Sequence, residues 1–362
     1  MLSYDTKHDV ECSNRTVPNI CSSFSYWKEN RYTLYCLQQF WTAVGCSMAT
    51  EYKEEITMRK ATPFIPILCA SILACSGNLS TDTSNTNTAN SDTSNPDTTE
   101  TILYNDCILV NPTGEVPAEL YTIEAPTTTS EYGSFTKSMT VYGITLVGTE
   151  DVPDGFMVAV GQAIVEMFPT NAVDATKQAE ILRNMYQYKA LIPIFAGGES
   201  GFNPDLIETI PGNYSICDII MSGVEGGQVM EVMEHILHIV SDVGLHYTYP
   251  EQWGLSNQSD LYAAMQEAEN GGVYNTTDYQ DISEEDIRQR VLLQEFAYWI
   301  ITSHWDIQTI YGPGDGFEWS ATTPTSLQSE LPLSNALIET TITNTMAVPE
   351  MVTLQSFENY GG

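Results

Sequence analysis

The chain has 362 residues, 13 of them basic and 47 acidic, for a formal net charge of −34. That length holds one large domain or two small ones. A surface this negative repels phosphate backbones and excludes nucleic acid as a partner; solubility by itself accounts for the charge. The charge is unevenly placed: residues 1–75 carry seven basic and seven acidic groups, and residues 76–362 carry six and forty.

Residues 58–75 place Arg59 and Lys60 ahead of an apolar run that closes on small residues and Cys75. This is the order of a secretory signal peptide, and the run is shorter than the about 20 residues a membrane-spanning helix needs. Its end, Ile72-Leu73-Ala74-Cys75, resembles the lipobox of bacterial lipoproteins, with Leu73 less usual at its position. The resemblance implies export, cleavage before Cys75, lipidation of the Cys75 sulfur, and the membrane as a partner through that anchor. Ser76 rather than Asp after the cysteine implies an outer-membrane or cell-surface location in a Gram-negative bacterium. A signal peptide works at an N-terminus, and this one starts at Met58. Residues 1–57 are therefore read as a mis-assigned upstream segment. The alternative is a small domain with Cys12, Cys21, Cys36 and Cys46 as a disulfide framework.

Residues 76–100 are Ser, Thr, Asn and Asp with almost nothing apolar. They cannot bury enough surface to offset ordering entropy, so a disordered tether is expected. Residues 101–362 follow as one domain. Its two cysteines, Cys107 and Cys217, either pair in an oxidising compartment or persist as buried thiols.

Within that domain, residues 138–147 are rich in Thr, Val, Tyr and Ile and predict one strand. Helices follow over 156–168, with Asp154 as N-cap, and from Asp174 to about 188. Residues 191–195 predict a short strand that Pro193 confines to a sheet edge. Residues 215–221 predict another strand. A helix runs from about Gln228 to His246, and a short one follows Ser259. A long helix opens near Ser283, with Ile282 and Ile287 as a hydrophobic staple. A helical segment broken around Pro332 closes the chain. The fold class is α+β, a small mixed sheet with packed helices and a mostly helical C-terminal half.

The helix from Gln228 carries three of the five histidines within twelve residues. At 3.6 residues per turn, Glu231, Glu234, His235, His238 and Asp242 share one face, and apolar residues cover the rest. A helix apolar over most of its girth is buried, so this stripe needs partners, and a metal ion is one. In the later helix Glu295 lies among Val291, Leu292, Leu293, Phe296, Ala297, Trp299 and Ile300. It either snorkels to solvent, meets Arg288 or Arg290, or binds a metal. No P-loop, Gly-x-Ser-x-Gly or EF-hand pattern is present.

Together the two helices resemble the core of the zincin metallopeptidases, in which an edge strand and a His-Glu-x-x-His helix line a cleft. Gln294-Glu295-Phe296-Ala297 resembles the glutamate helix of the anthrax lethal factor-like group. Here the motif is rearranged to Glu234-His235-Ile236-Leu237-His238. The resemblance implies Glu234, His238 and Glu295 as metal ligands and His235 as the proton-handling catalytic group or a fourth ligand. His246 follows a glycine, like the third histidine of the extended metzincin motif, but sits eight rather than six residues after His238; it is an optional ligand. The implied cofactor is zinc, iron or manganese, and the implied partner a peptide or protein substrate. Two functions follow: a tethered metal-dependent peptide or amide hydrolase, or an inactive surface lipoprotein that binds a partner or has a structural envelope role.

Overall fold

The structure, a computed structural model, describes residues 105–313 and 318–361. The expected upstream segment 1–57, the expected signal peptide 58–75 with Cys75 and the expected tether 76–100 lie outside the described residues.

Tyr142 and Gly143 break the expected strand 138–147 into a hairpin. Both have left-handed backbones, with φ of 51° and 89°, the conformation that a two-residue turn needs to match the twist of its strands. A Cβ on Gly143 would also come within 2.9 Å of Met185 and Tyr186. The hairpin joins β2 (Phe135–Val141) to β3 (Ile144–Gly148), and β1 (Thr127–Tyr132) precedes it. With β4 (Leu191–Ala196) and β5 (Ile220–Ser222) they form a five-stranded sheet in sequence order. The first three strands are antiparallel; β3, β4 and β5 are parallel.

Pro193 does not put β4 at an edge, because β4 lies between β3 and β5. Leu191 N donates to Ser215 O at 2.9 Å, and Pro193, two residues on, turns its nitrogen to the same side. Pairing with β5 begins only at Ile194 opposite Ile220. The missing donor therefore falls in a gap of the ladder. The expected strand 215–221 is correspondingly short: Ser215 makes isolated bridges to Asp106 and Ala190, and regular pairing starts at Ile220.

The crossover from β3 to β4 is built by α1 (Asp154–Met167) and α2 (Ala175–Gln187). Asp174 caps α2 by accepting from Lys177 N at 3.0 Å. Asp154 is the first helical residue of α1, with Pro153 before it at the cap position. Next come α3 (Gln228–Ile239), α4 (Asp260–Asn270), α5 (Glu285–His304), α6 (Pro324–Glu330) and α7 (Pro332–Thr340). Ser259 caps α4 through Tyr262 N. The Ile282 and Ile287 side chains meet Tyr279 and Val291 in a small cluster at the start of α5.

Side-chain alternation splits the core across the sheet. Met139, Val141, Ile144, Leu146, Ile192, Ile194 and Ile220 point into the main core with α1, α3 and α5. Phe135, Val147, Leu191, Phe195 and Met221 point the other way, under Ile207, Ile210, Tyr214, Ile216 and Ile219. The fold is α+β, with a mixed sheet and a helical C-terminal half. Among the described residues no helix is long and apolar enough to cross a membrane.

Candidate metal centre

The start of α3 is fastened to β5 by its own side chains. Gln228 Oε1 accepts from Gly223 N and Val224 N at 2.7 and 3.0 Å, and its Nε2 donates to Met221 O at 2.7 Å. One turn on, Glu231 Oε1 accepts from Met221 N at 2.8 Å. Both backbone groups of Met221 are thus engaged by the helix. This fixes the rotation of α3 and directs its polar stripe past the end of β5 toward α5.

After Ile239 the helix does not continue as a regular α-helix. Residues Val240–Leu245 form a π-helical stretch, and a final turn covers His246–Thr248. Asp242 and His246 lie outside the group that His238 forms with Glu234 and Glu295. Asp242 is buried with its Oδ2 3.4 Å from Cys107 Sγ and its Oδ1 accepting from Ser241. His246 Nδ1 accepts from Leu255 N at 3.3 Å. It belongs to none of the metal-competent groups among the described residues.

Glu234 and His238 stay one turn apart on α3, and Glu295 reaches them from α5. A ligand atom of each lies within 4.8 Å of the others. His238 Nε2 is 3.7 Å from Glu295 Oε2, and neither atom has a hydrogen-bond partner among the described residues. His238 is fully buried and Glu295 is 4 % exposed, while Glu234 is only partly buried. Solvent does not take up Glu295, nor do the arginines: Arg288 lies by Glu285 and Ile282 O, and Arg290 approaches Asp106. Two ligands about 2.1 Å from one tetrahedral ion stand about 3.4 Å apart. The facing pair fits that spacing with little movement.

A residue that the sequence reading did not single out stands behind His238. Asp218, in the connection leading into β5, has its Oδ2 2.6 Å from His238 Nδ1, and its Oδ1 accepts from Ile219 N at 2.8 Å. The signal was there in retrospect: one carboxylate interrupts the apolar run from Ile216 to Met221. Cys217 beside it is joined to Cys107 by a disulfide.

His235 requires a correction. Handling a proton for a substrate needs access to the cleft, and His235 is only 1 % exposed. Its Nδ1 is 2.7 Å from Asp218 Oδ2 and its Nε2 is 3.3 Å from Glu231 Oε1. The Asp218 approach is an ion-pair contact. The α-helical step of about 100° from Glu234 turns the ring inward, toward β5.

Asp218, His235 and His238 also form a metal-competent group by proximity. Their separations of 2.6 and 2.7 Å are hydrogen-bond and ion-pair distances, too short to seat an ion between the two atoms. The 3.7 Å gap on the other side of His238 is the one an ion suits.

The electrostatics agree. Burial works against ionisation of Asp218, but the charges and hydrogen bonds of His235 and His238 outweigh it and hold its carboxyl well below the usual range. Burial likewise opposes charge on His235, yet Asp218 and Glu231 raise its pKa well above the ordinary value. For His238 burial is outweighed by Glu295, Asp218 and Glu234, which raise it. Asp218, Glu231, Glu234 and Glu295 thus surround two imidazoles, an excess of negative charge that suits a cation.

Comparison with known proteins finds no matching family model, no matching curated protein and no matching solved structure. The site therefore rests on its own geometry: these buried His, Asp and Glu groups could hold a metal ion.

Proposed function

We propose that this protein is an exported, lipid-anchored lipoprotein whose domain is a divergent zincin-like module. It holds a divalent ion between Glu234, His238 and Glu295 and hydrolyses a peptide or amide bond. One observation carries the reading: His238 Nε2 and Glu295 Oε2 face each other, buried and without hydrogen-bond partners among the described residues. Leaving such a pair uncompensated costs several kcal/mol, and an ion between them removes that cost. One imidazole with two carboxylates is a hard ligand set, which suits zinc less well and iron or manganese better. A bound ion of this kind supplies a Lewis acid for hydrolysis. The chain's own residues hold it, and Glu234, the partly exposed member, marks the side open to water and substrate. His235 is sequestered between Asp218 and Glu231, so this reading gives it no direct proton transfer to substrate.

One observation favours the second reading, a surface lipoprotein without catalytic activity. Zincin-type clefts use an edge strand, and here Gln228 and Glu231 occupy the backbone groups of Met221 on β5. An extended peptide has no free ladder groups there. Elemental analysis of the purified protein tests the common part: one iron, manganese or zinc per chain is expected, and none would overturn it. Chelator-sensitive cleavage of a peptide library separates the two readings; its absence from metal-loaded protein favours the second.

A further inference from the structure

The metal reading leaves open how His238 comes to present a lone pair to the ion. An imidazole has one proton for two nitrogens when neutral, and a ligand nitrogen must be the bare one. Nε2 faces Glu295, so the proton has to sit on Nδ1. Only an acceptor at Nδ1 holds it there. Asp218 Oδ2 lies 2.6 Å from that atom. The carboxylate is itself fixed: Ile219 N donates to Oδ1 at 2.8 Å, His235 Nδ1 lies 2.7 Å from Oδ2 on its other flank, and only 4 % of the residue is exposed. Asp218 is not a member of the metal-competent group that His238 forms with Glu234 and Glu295. It sits on the far side of the ring.

We infer that Asp218 is the positioning residue of the metal centre: it fixes His238 in the Nδ1–H tautomer and aims Nε2 at the ion. The inference rests on the metal-centre reading above. His235, pressed against the same carboxylate oxygen, keeps Asp218 from turning away. The ligand set is thereby tied through Asp218 to the connection into β5, and through His235 and Glu231 to Met221 N in the strand itself.

The test measures zinc and manganese affinity of the purified wild type, Asp218→Asn and Asp218→Ala, with thermal melting of each metal-free protein as a control. Both variants should weaken metal binding about 10- to 100-fold. An Asn at this position can turn its amide N–H toward Nδ1, which favours the tautomer with a proton on Nε2. A second measurement needs no variant of Asp218. In zinc-loaded wild type labelled with ¹⁵N at its histidines, and with His238→Gln used for assignment, the Nδ1 of His238 should carry the proton and Nε2 should show the metal shift. Metal on Nδ1 would overturn the inference even if both Asp218 variants fail to fold. Wild-type binding with both variants within threefold of it would overturn the role of Asp218 alone. No binding by the wild type would overturn the metal centre and this inference with it.

Discussion

Glu295 faces His238 across 3.7 Å, from helices distant in sequence, with no hydrogen-bond partner among the described residues on either facing atom. A buried carboxylate in an apolar helix is costly unless something completes it. This relationship makes a first prediction. In metal-free protein, Glu295→Gln should lower stability, because it removes the carboxylate that favours the charged form of buried His238. Adding metal at 100 times its dissociation constant should stabilise the wild type by about 2.7 kcal/mol and the variant by none. Chemical denaturation with and without metal reads both. A variant that gains as much as the wild type would exclude Glu295 from the ligand set.

Asp242 should make stability depend on pH. Burial, the largest influence, pushes its pKa up from 3.8 to about 7, with Asp218 adding to it and His238, Arg290 and Ser241 opposing. Cys107 Sγ lies 3.4 Å from its Oδ2. A raised folded-state pKa gives a contribution fully present below the unfolded value and lost as pH rises through the folded one. The window is therefore pH 4 to 7. Over it the wild type should lose up to about 4 kcal/mol relative to Asp242→Asn, which cannot ionise. Urea midpoints of both proteins at four pH values check this; a constant difference would refute it.

Reduction of the Cys107–Cys217 disulfide should act on both stability and the metal site. The bond closes a span of 110 residues, worth on the order of 4–5 kcal/mol in chain entropy. Cys217 also immediately precedes Asp218. Paired Cys107→Ser and Cys217→Ser changes should lower the melting temperature and weaken metal binding severalfold. Unchanged metal affinity in a folded variant would show that the Asp218 connection holds without the bond.

Gly244 should not tolerate a side chain. A Cβ there would lie 2.6 Å from Met185 Cε and 2.8 Å from Ile181 Cγ2, where α2 packs against the π-helical stretch. Overpacking of this kind costs about 1–3 kcal/mol. Gly244→Ala should lower the urea midpoint accordingly. A wild-type midpoint would mean that the Met185 terminus yields freely.

The anchor is tested apart from the domain. Cys75→Ala, made in the native host, should leave the protein unlipidated and release it from the membrane fraction. Mass spectrometry should find an acylated Cys75 at the mature N-terminus in the wild type. Retained acylation in the variant would reject the lipobox reading.

Local signals carried much of this protein into view. The 3.6-residue periodicity of Glu231, Glu234 and His238 marked α3, Asp174 and Ser259 marked helix starts, and an isolated carboxylate among apolar neighbours marked Glu295. Each rests on interactions within a few residues, which is why the sequence alone determines them. It equally determined the α+β class, from short strands followed by helices.

Tertiary structure decided the rest. Tyr142 and Gly143 turn where 138–147 read as one strand, since a non-glycine residue with positive φ has no strong composition signature. Pro193 sits inside the sheet because β5 happens to start one residue too late to need its missing donor. The inward turn of His235, the absence of Asp242 and His246 from the group around His238, and the arrival of Asp218 behind His238 all depend on how α3 docks on β5. Periodicity gives the angle between side chains on one helix. It does not say which neighbour each side meets, because that is fixed only when strand, helix and connection are packed against one another.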